Sequence, residues 1–176
     1  MEIDAEHITQ FAHNGYVYCM LLAKDTYLEG QAEILISGGG DGTIKLWMLE
    51  GSDSNRIHEI VKLDDGRDEG DPVLTIALDG NFLYSGRADG EINVWDLETK
   101  QLVRITKAHD GDILTMALGR ALLFSAAVTG DVKVRHGAPD LVHVTNFHVA
   151  VQSTVRMCQR LASSSWHGAC ICVDYP

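Results

Sequence analysis

Residues 36–47 read ISGGGDGTIKLW, and residues 84–95 read YSGRADGEINVW. Laid one on the other at an offset of 48, Ser37 falls on Ser85, Asp41 on Asp89, Gly42 on Gly90, Ile44 on Ile92 and Trp47 on Trp95. Residues 124–135, FSAAVTGDVKVR, form a weaker third copy at a further offset of 40. There Ser125, Gly130 and Val132 keep their places, and Arg135 stands where tryptophan stood. Repetition at such a period marks a stacked or radial array of small units.

The first copy holds four glycines within five residues, which raises the question of a phosphate loop. A phosphate loop runs from a strand into the N-terminus of a helix, whose free amides face the anion. Here the glycines lead into TIKLWML, where Ile44, Leu46 and Met48 alternate with Lys45, Trp47 and Leu49. That alternation, rich in β-branched and aromatic side chains, predicts a strand, and no Gly-Lys-Ser/Thr follows. Asp-Gly at 41–42 and again at 89–90 predicts a tight two-residue hairpin turn, because glycine accepts positive φ without a Cβ clash.

Each copy offers short strand-like runs separated by turn residues. The second gives 73–79, 82–87, 92–97 and 101–107; the first gives 17–23, 34–38, 44–49 and 57–63. The third gives 113–119, 122–128 and 132–135. Four-stranded antiparallel units in series are the blades of a β-propeller. The alternation predicts burial of Trp47, Leu74, Ile76, Leu83, Ile92, Val94, Trp95, Leu114 and Met116.

The motifs SGGGDGTIKLWML and SGRADGEINVWDL, with the pairs Ala12-His13 and Ala108-His109, resemble the WD-repeat family. In that family a histidine before the first strand, a Ser/Thr on the second, an aspartate in the next turn and a tryptophan on the third form a buried hydrogen-bonded set. The resemblance places these roles on His13, Ser37, Asp41 and Trp47 in the first copy. The second copy keeps Ser85, Asp89 and Trp95 but has Glu69 where the histidine belongs. The third keeps His109 and Ser125 but substitutes Thr129 and Arg135 for the aspartate and the tryptophan. A buried aspartate needs donors, and histidine, serine and indole supply them. The same three residue types could serve as a hydrolase triad. The Asp-Gly turn and the strand-borne tryptophan favour a blade fastener, so no catalytic residue is assigned.

The expected fold is thus all-β: a partial, open WD-repeat propeller of about three four-stranded blades with an irregular C-terminal tail. The propeller segment is 1–136, with blades at about 13–63, 69–107 and 109–136, and the tail is 137–176. Aligning His13 with His109 makes residues 7–11 the outer strand of a preceding blade, so the chain reads as an excerpt from a longer ring. The tail has only four charged residues, Asp140, Arg156, Arg160 and Asp174, and three of the four cysteines. Residues 141–151 could form a strand, but the repeat pattern is lost after Arg135. A shifted reading frame would produce such a break. Cys170 and Cys172 near His167 raise a zinc site, but Cys-x-Cys is not the usual knuckle spacing and no second pair exists, so no metal is assigned.

The 176 residues suffice for a domain with a real core. A net charge of −11 argues against direct binding to nucleic acid or to an anionic membrane. No apolar run approaches the roughly 20 residues of a membrane helix, and no secretory signal opens the chain. Four scattered thiols in such a chain are expected to be reduced. The expected localisation is cytoplasmic, and no cofactor is expected.

Residues 63–130 are further similar to the N-terminal propeller of a fungal glutathione-degradation protein. That resemblance implies a parent with a zinc-dependent peptidase domain and a glutamine-amidotransferase-like partner. None of the peptidase's metal ligands is present in this sequence. Three functions are therefore carried forward: a non-enzymatic protein-interaction scaffold, a part of a γ-glutamyl or dipeptide hydrolase complex, and a ligand-binding propeller centre. The first is preferred, with proteins as partners and self-association through open blade edges.

Overall fold

The computed structural model describes residues 12–24, 33–49, 57–67 and 70–148. They form three four-stranded antiparallel sheets, each a meander in which every strand pairs with the next in sequence. The first blade comprises β1 (Val17–Lys24), β2 (Glu33–Gly39), β3 (Ile44–Leu49) and β4 (Ile57–Leu63). The second comprises β5 (Val73–Asp79), β6 (Phe82–Arg87), β7 (Glu91–Asp96) and β8 (Gln101–Lys107). The third comprises β9 (Ile113–Gly119), β10 (Leu122–Ala127), β11 (Asp131–His136) and β12 (His143–His148).

The turns between second and third strands share one geometry. Gly42, Gly90 and Gly130 have φ of 73°, 81° and 86°, and each amide donates to the carbonyl three residues back, on Gly39, Arg87 and Ala127. This is a three-residue loop ending in a left-handed residue rather than the two-residue turn that Asp-Gly suggested. Gly90 is required twice over. Its φ is left-handed, and a Cβ there would lie 2.2 Å from the His109 carbonyl oxygen of the next blade.

Blades pack face to face. Cys19, Leu21, Ile36, Ile44 and Leu46 of blade 1 share a core with Val73, Ile76, Leu83 and Trp95 of blade 2. Tyr84, Ile92 and Val94 on the other face of blade 2 meet Ile113, Met116 and Leu123 of blade 3. Burying each such aliphatic side chain contributes about 1.5–3 kcal/mol, so these two seams are the main source of stability.

Seven of the nine side chains expected inside are buried; Leu74 and Leu114 are only half-buried. The reason is a β-bulge repeated at one place in all three first strands. The register steps from Val17 to Cys19, from Val73 to Thr75 and from Ile113 to Thr115, so the bulges fall at Tyr18, Leu74 and Leu114. A bulge resets the alternation, so Val73 and Ile76, three apart, both face blade 1.

The third blade is complete. β12 lies inside the segment set apart as a tail and pairs antiparallel with β11, so the repeat runs on to His148. The connection that hides it, residues 137–142, is longer than the four-residue 97–100 of blade 2 and contains a cis Ala138–Pro139 bond. It folds under the second blade: Leu141 is buried in the blade 2–3 seam, and the Ala138 amide donates to the Tyr84 hydroxyl. The expected strand at 7–11, Glu69, and the Cys170, Cys172 and His167 group lie outside the described residues.

Candidate functional site

In blade 1 the four residues named from the sequence come together. His13 sits just before β1, Ser37 on β2, Asp41 in the following turn and Trp47 on β3. His13 Nδ1 lies 3.0 Å from Asp41 Oδ1, and Nε2 lies 2.8 Å from Ser37 Oγ. Since the carboxylate only accepts, Nδ1 carries the proton and Nε2 accepts from the Ser37 hydroxyl. Trp47 Nε1–H then donates to Ser37 Oγ at 2.8 Å. Asp41 also accepts from the Asn14 amide at 2.8 Å and from the Thr43 hydroxyl at 2.8 Å. Burial by itself pushes the Asp41 carboxyl up, but the bonds from Thr43, Asn14 and His13 outweigh it and hold it down at about 2. Gly39 is glycine for a local reason: a Cβ there would lie 2.3 Å from His13 Nδ1.

The contact order Ser–His–Asp is that of a hydrolase triad, yet the environment is wrong for a nucleophile. Ser37 is only 4% exposed, and its oxygen already takes the indole N–H. No carbonyl carbon can reach it, so the set fastens the blade rather than activating a serine.

Blade 2 solves the same problem with charge. Trp95 Nε1–H still donates to Ser85 Oγ at 3.1 Å. The residue matching Gly39 is Arg87, whose side chain takes the space that an imidazole would need. Its Nη1 lies 2.9 Å from Asp65 Oδ2, and both side chains are at most 1% exposed. The pair is close but not aligned as a hydrogen bond, leaving the guanidinium nitrogens held by charge alone. Outside it, Arg67 spans Asp89 Oδ2 at 3.3 Å and Glu91 Oε2 at 2.6 Å. Asp89 is thus held by an arginine from the preceding linker, where Asp41 is held by a histidine. Nothing in the repeat alignment announces Asp65 or Arg67. The arginine at a glycine position was the available signal.

Blade 3 keeps half the set. His109 Nε2 lies 2.8 Å from Ser125 Oγ. Arg135 replaces the indole, with Nη1 donating to Ser125 Oγ at 3.3 Å and Nη2 to the Ala108 carbonyl at 3.2 Å. Thr129 turns away to Asp131, so His109 Nδ1 is buried without a partner. Burial, reinforced by Lys133 and Arg135, pushes His109 down to about 4.

The unfolded chain, with His109 near its ordinary 6.5, therefore takes up the proton first as pH falls. Stability is full above that value and is lost progressively toward about 4. Thermal unfolding should show a midpoint that falls across this window, and less steeply in His109→Gln. Thr129→Asp should restore the missing acceptor, adding about 1 kcal/mol at neutral pH and flattening the same decline.

The turn ends of all three blades are tied to the chain entering them. Gly40, Ala88 and Val128 donate their amides to the carbonyls of Tyr16, Pro72 and Asp112, at 2.7, 3.0 and 2.9 Å. This places Tyr16, Val17 and Val128 at the same end of the blades, and they are 76%, 38% and 47% exposed. The Tyr16 and Tyr18 rings lie 6.1 Å apart. The half-buried bulge residues Leu74 and Leu114 belong to the same row as Tyr18. Among the described residues no group of three or more His, Cys, Asp or Glu side chains could hold a metal ion.

Comparison with known families matches "WD domain, G-beta repeat" over residues 5–48 and 66–96. Among curated proteins, the chain is 31% identical over 140 residues to the probable di- and tripeptidase DUG2 of Saccharomyces cerevisiae, covering 74% of this chain and 16% of that protein. It is 28% identical over 125 residues to the mouse kinesin-like protein KIF21B, covering 69% of this chain and 7% of the other. It is 30% identical over 87 residues to the small ribosomal subunit protein RACK1 of Candida albicans, covering 49% of this chain and 26% of that protein. The chain thus spans only a small part of these relatives. Among solved structures, the computationally designed Ika8 protein matches with a TM-score of 0.54 and 31% identity, covering 74% of this chain and 37% of the other.

Proposed function

The chain belongs to the WD-repeat family, and from that premise we propose that it is a protein-binding scaffold working through the turn end of its blades. The observation that carries this reading is the exposed aromatic and aliphatic row at that end, on a rigid base. Tyr16 is the natural anchor. A tyrosine brings large contact area with little rotamer entropy, and such residues dominate binding energy at interfaces. The buried polar sets beneath hold the turns still, which reduces the ordering cost of docking.

The test is capture from an extract of the source cells, with the chain as bait. Tyr16→Ala and Val128→Arg should each weaken retention of the partner by about tenfold or more while leaving the thermal midpoint in place. Retention unchanged by either substitution would move the docking surface elsewhere. The same purified chain should not hydrolyse glutathione or Cys-Gly, with or without added zinc; chelator-sensitive turnover would favour an enzyme over a scaffold.

We propose further that the scaffold serves a cytoplasmic assembly that hydrolyses small peptides, with glutathione as the substrate class and a glutamine-amidotransferase-like subunit as partner. The likeness to a protein named as a di- and tripeptidase supports this finer reading, as does the sequence resemblance across residues 63–130.

Self-association is the remaining part of the proposal. On the outer face of blade 1, Val17, Met20 and Leu22 are 38%, 43% and 52% exposed, whereas Val73 and Ile76, the counterparts of Val17 and Met20 in blade 2, are fully covered by blade 1. Apolar surface of this kind favours association. Sedimentation should show concentration-dependent assembly that Met20→Lys with Leu22→Lys suppresses. A monodisperse monomer at every concentration would contradict it.

A further inference from the structure

Asn14 is followed by Gly15 in the bend that leads from His13 into β1. Asn14 is exposed, and its carboxamide makes no hydrogen bond among the described residues. Its backbone amide, by contrast, donates to Asp41 Oδ2 at 2.8 Å. Gly15 has φ of 137° and no side chain to shield its nitrogen, and its amide donates to no backbone carbonyl among the described residues. On its other side, the Tyr16 carbonyl holds the Gly40 amide at 2.7 Å. A free carboxamide thus stands next to an unhindered backbone nitrogen, between two bonds that clamp the first blade.

Blade 3 carries the corresponding pair as Asp110 and Gly111, and there the turn aspartate is replaced by Thr129. In blade 1 the turn keeps Asp41, and position 14 is the neutral amide. In blades 1 and 3, then, only one of these two positions carries a carboxylate.

We propose that Asn14-Gly15 is a self-modifying site at which loss of the Asn14 amide puts a carboxylate on the residue whose backbone holds Asp41, and so unfastens the first blade. The Gly15 backbone nitrogen attacks the Asn14 side-chain carbonyl carbon. A C–N bond forms, the bond to the side-chain nitrogen breaks, and that nitrogen leaves as ammonia with the proton from the Gly15 amide. One water molecule then opens the five-membered imide at either carbonyl, giving aspartate or isoaspartate; nothing is oxidised or reduced. Either product puts a negative charge on the residue whose backbone amide binds Asp41, and a like charge so close weakens that bond and disfavours the ionised Asp41. The isoaspartyl product also lengthens the backbone by one methylene between the His13 and Tyr16 anchors. Both bonds that tie this bend to the turn must then shift.

The experiment ages the purified chain in mildly alkaline buffer and follows each asparagine by peptide mass and by isoaspartyl methyl-transfer labelling. Conversion, read as a gain of about 1 Da, should run several-fold faster at Asn14 than at Asn55, Asn81, Asn93 or Asn146, which precede bulkier residues. Aged protein should lose amide protection at Gly40 and unfold at lower temperature, and fresh Asn14→Asp should show part of that loss. Asn14→Gln, which keeps the backbone bonds but disfavours ring closure, should age without change. Conversion no faster at Asn14 than at the other four would overturn the proposal. So would conversion that leaves Gly40 protection and the unfolding temperature as they were.

Discussion

Replacing Asp65 by alanine is expected to destabilise the chain by about 3–5 kcal/mol, the cost of stranding a buried charge. Arg87 is fully buried, and Asp65 is the only carboxylate seen within ion-pair distance of it among the described residues. Nearby Arg67 cannot help, since it carries the same sign. The double change Asp65→Ala with Arg87→Met should recover most of the loss, because it removes the desolvated charge together with its partner. Urea unfolding of the two variants measures both steps. A loss under about 1 kcal/mol for Asp65→Ala would mean that Arg87 finds water or another acceptor, and that the pair does not hold blade 2.

The second large effect is at the opposite fastener. Asp41→Ala should cost about 1–3 kcal/mol by leaving buried donors on His13 and Thr43 unpaired. The sign with pH is fixed by the depressed carboxyl. Its folded value of about 2 lies below the ordinary 3.8, so the contribution is complete above that ordinary value and disappears as pH falls toward 2. Wild type and variant should therefore differ most at neutral pH and converge in strong acid. A gap that stays constant down to the lowest pH at which the chain folds would assign the loss to packing instead. Blade 2 has no histidine in the same role, so Asp89→Ala, with only the half-exposed Arg67 as its charged partner, should cost less.

The blade architecture was legible because sterically demanding residues recur. The turn glycines need positive φ, Trp47 and Trp95 each need Ser37 or Ser85 as acceptor, and the alternating strands need two packed faces. Those requirements repeat at 48 and 40 residues and so leave a trace in the sequence. What was misread depends on features with no such period. The bulge at Leu74 and Leu114 costs nothing in composition, yet it turns an even spacing into an odd one. The strand at 141–151 is legible as a strand but not as part of the third blade, because its connection breaks the interval and residues 143–146 are all exposed. The Asp65–Arg87 pair joins a linker to a strand. Linkers vary freely in sequence, so only the odd arginine at a glycine position hinted at it. Arg135 stands at the tryptophan position in the sequence, but its bond to the Ala108 carbonyl requires the fold to be seen.

The scaffold reading itself rests on which surface meets the partner. Hydrogen exchange of the chain, alone and with its captured partner, measures that directly. The account predicts new protection at residues 15–18, 40–43, 88–91 and 128–131, the turn end of all three blades, with β8 and β12 exchanging as before. Protection confined to the outer strands, or to the open face of β1 and β2 with the turns unchanged, would contradict it.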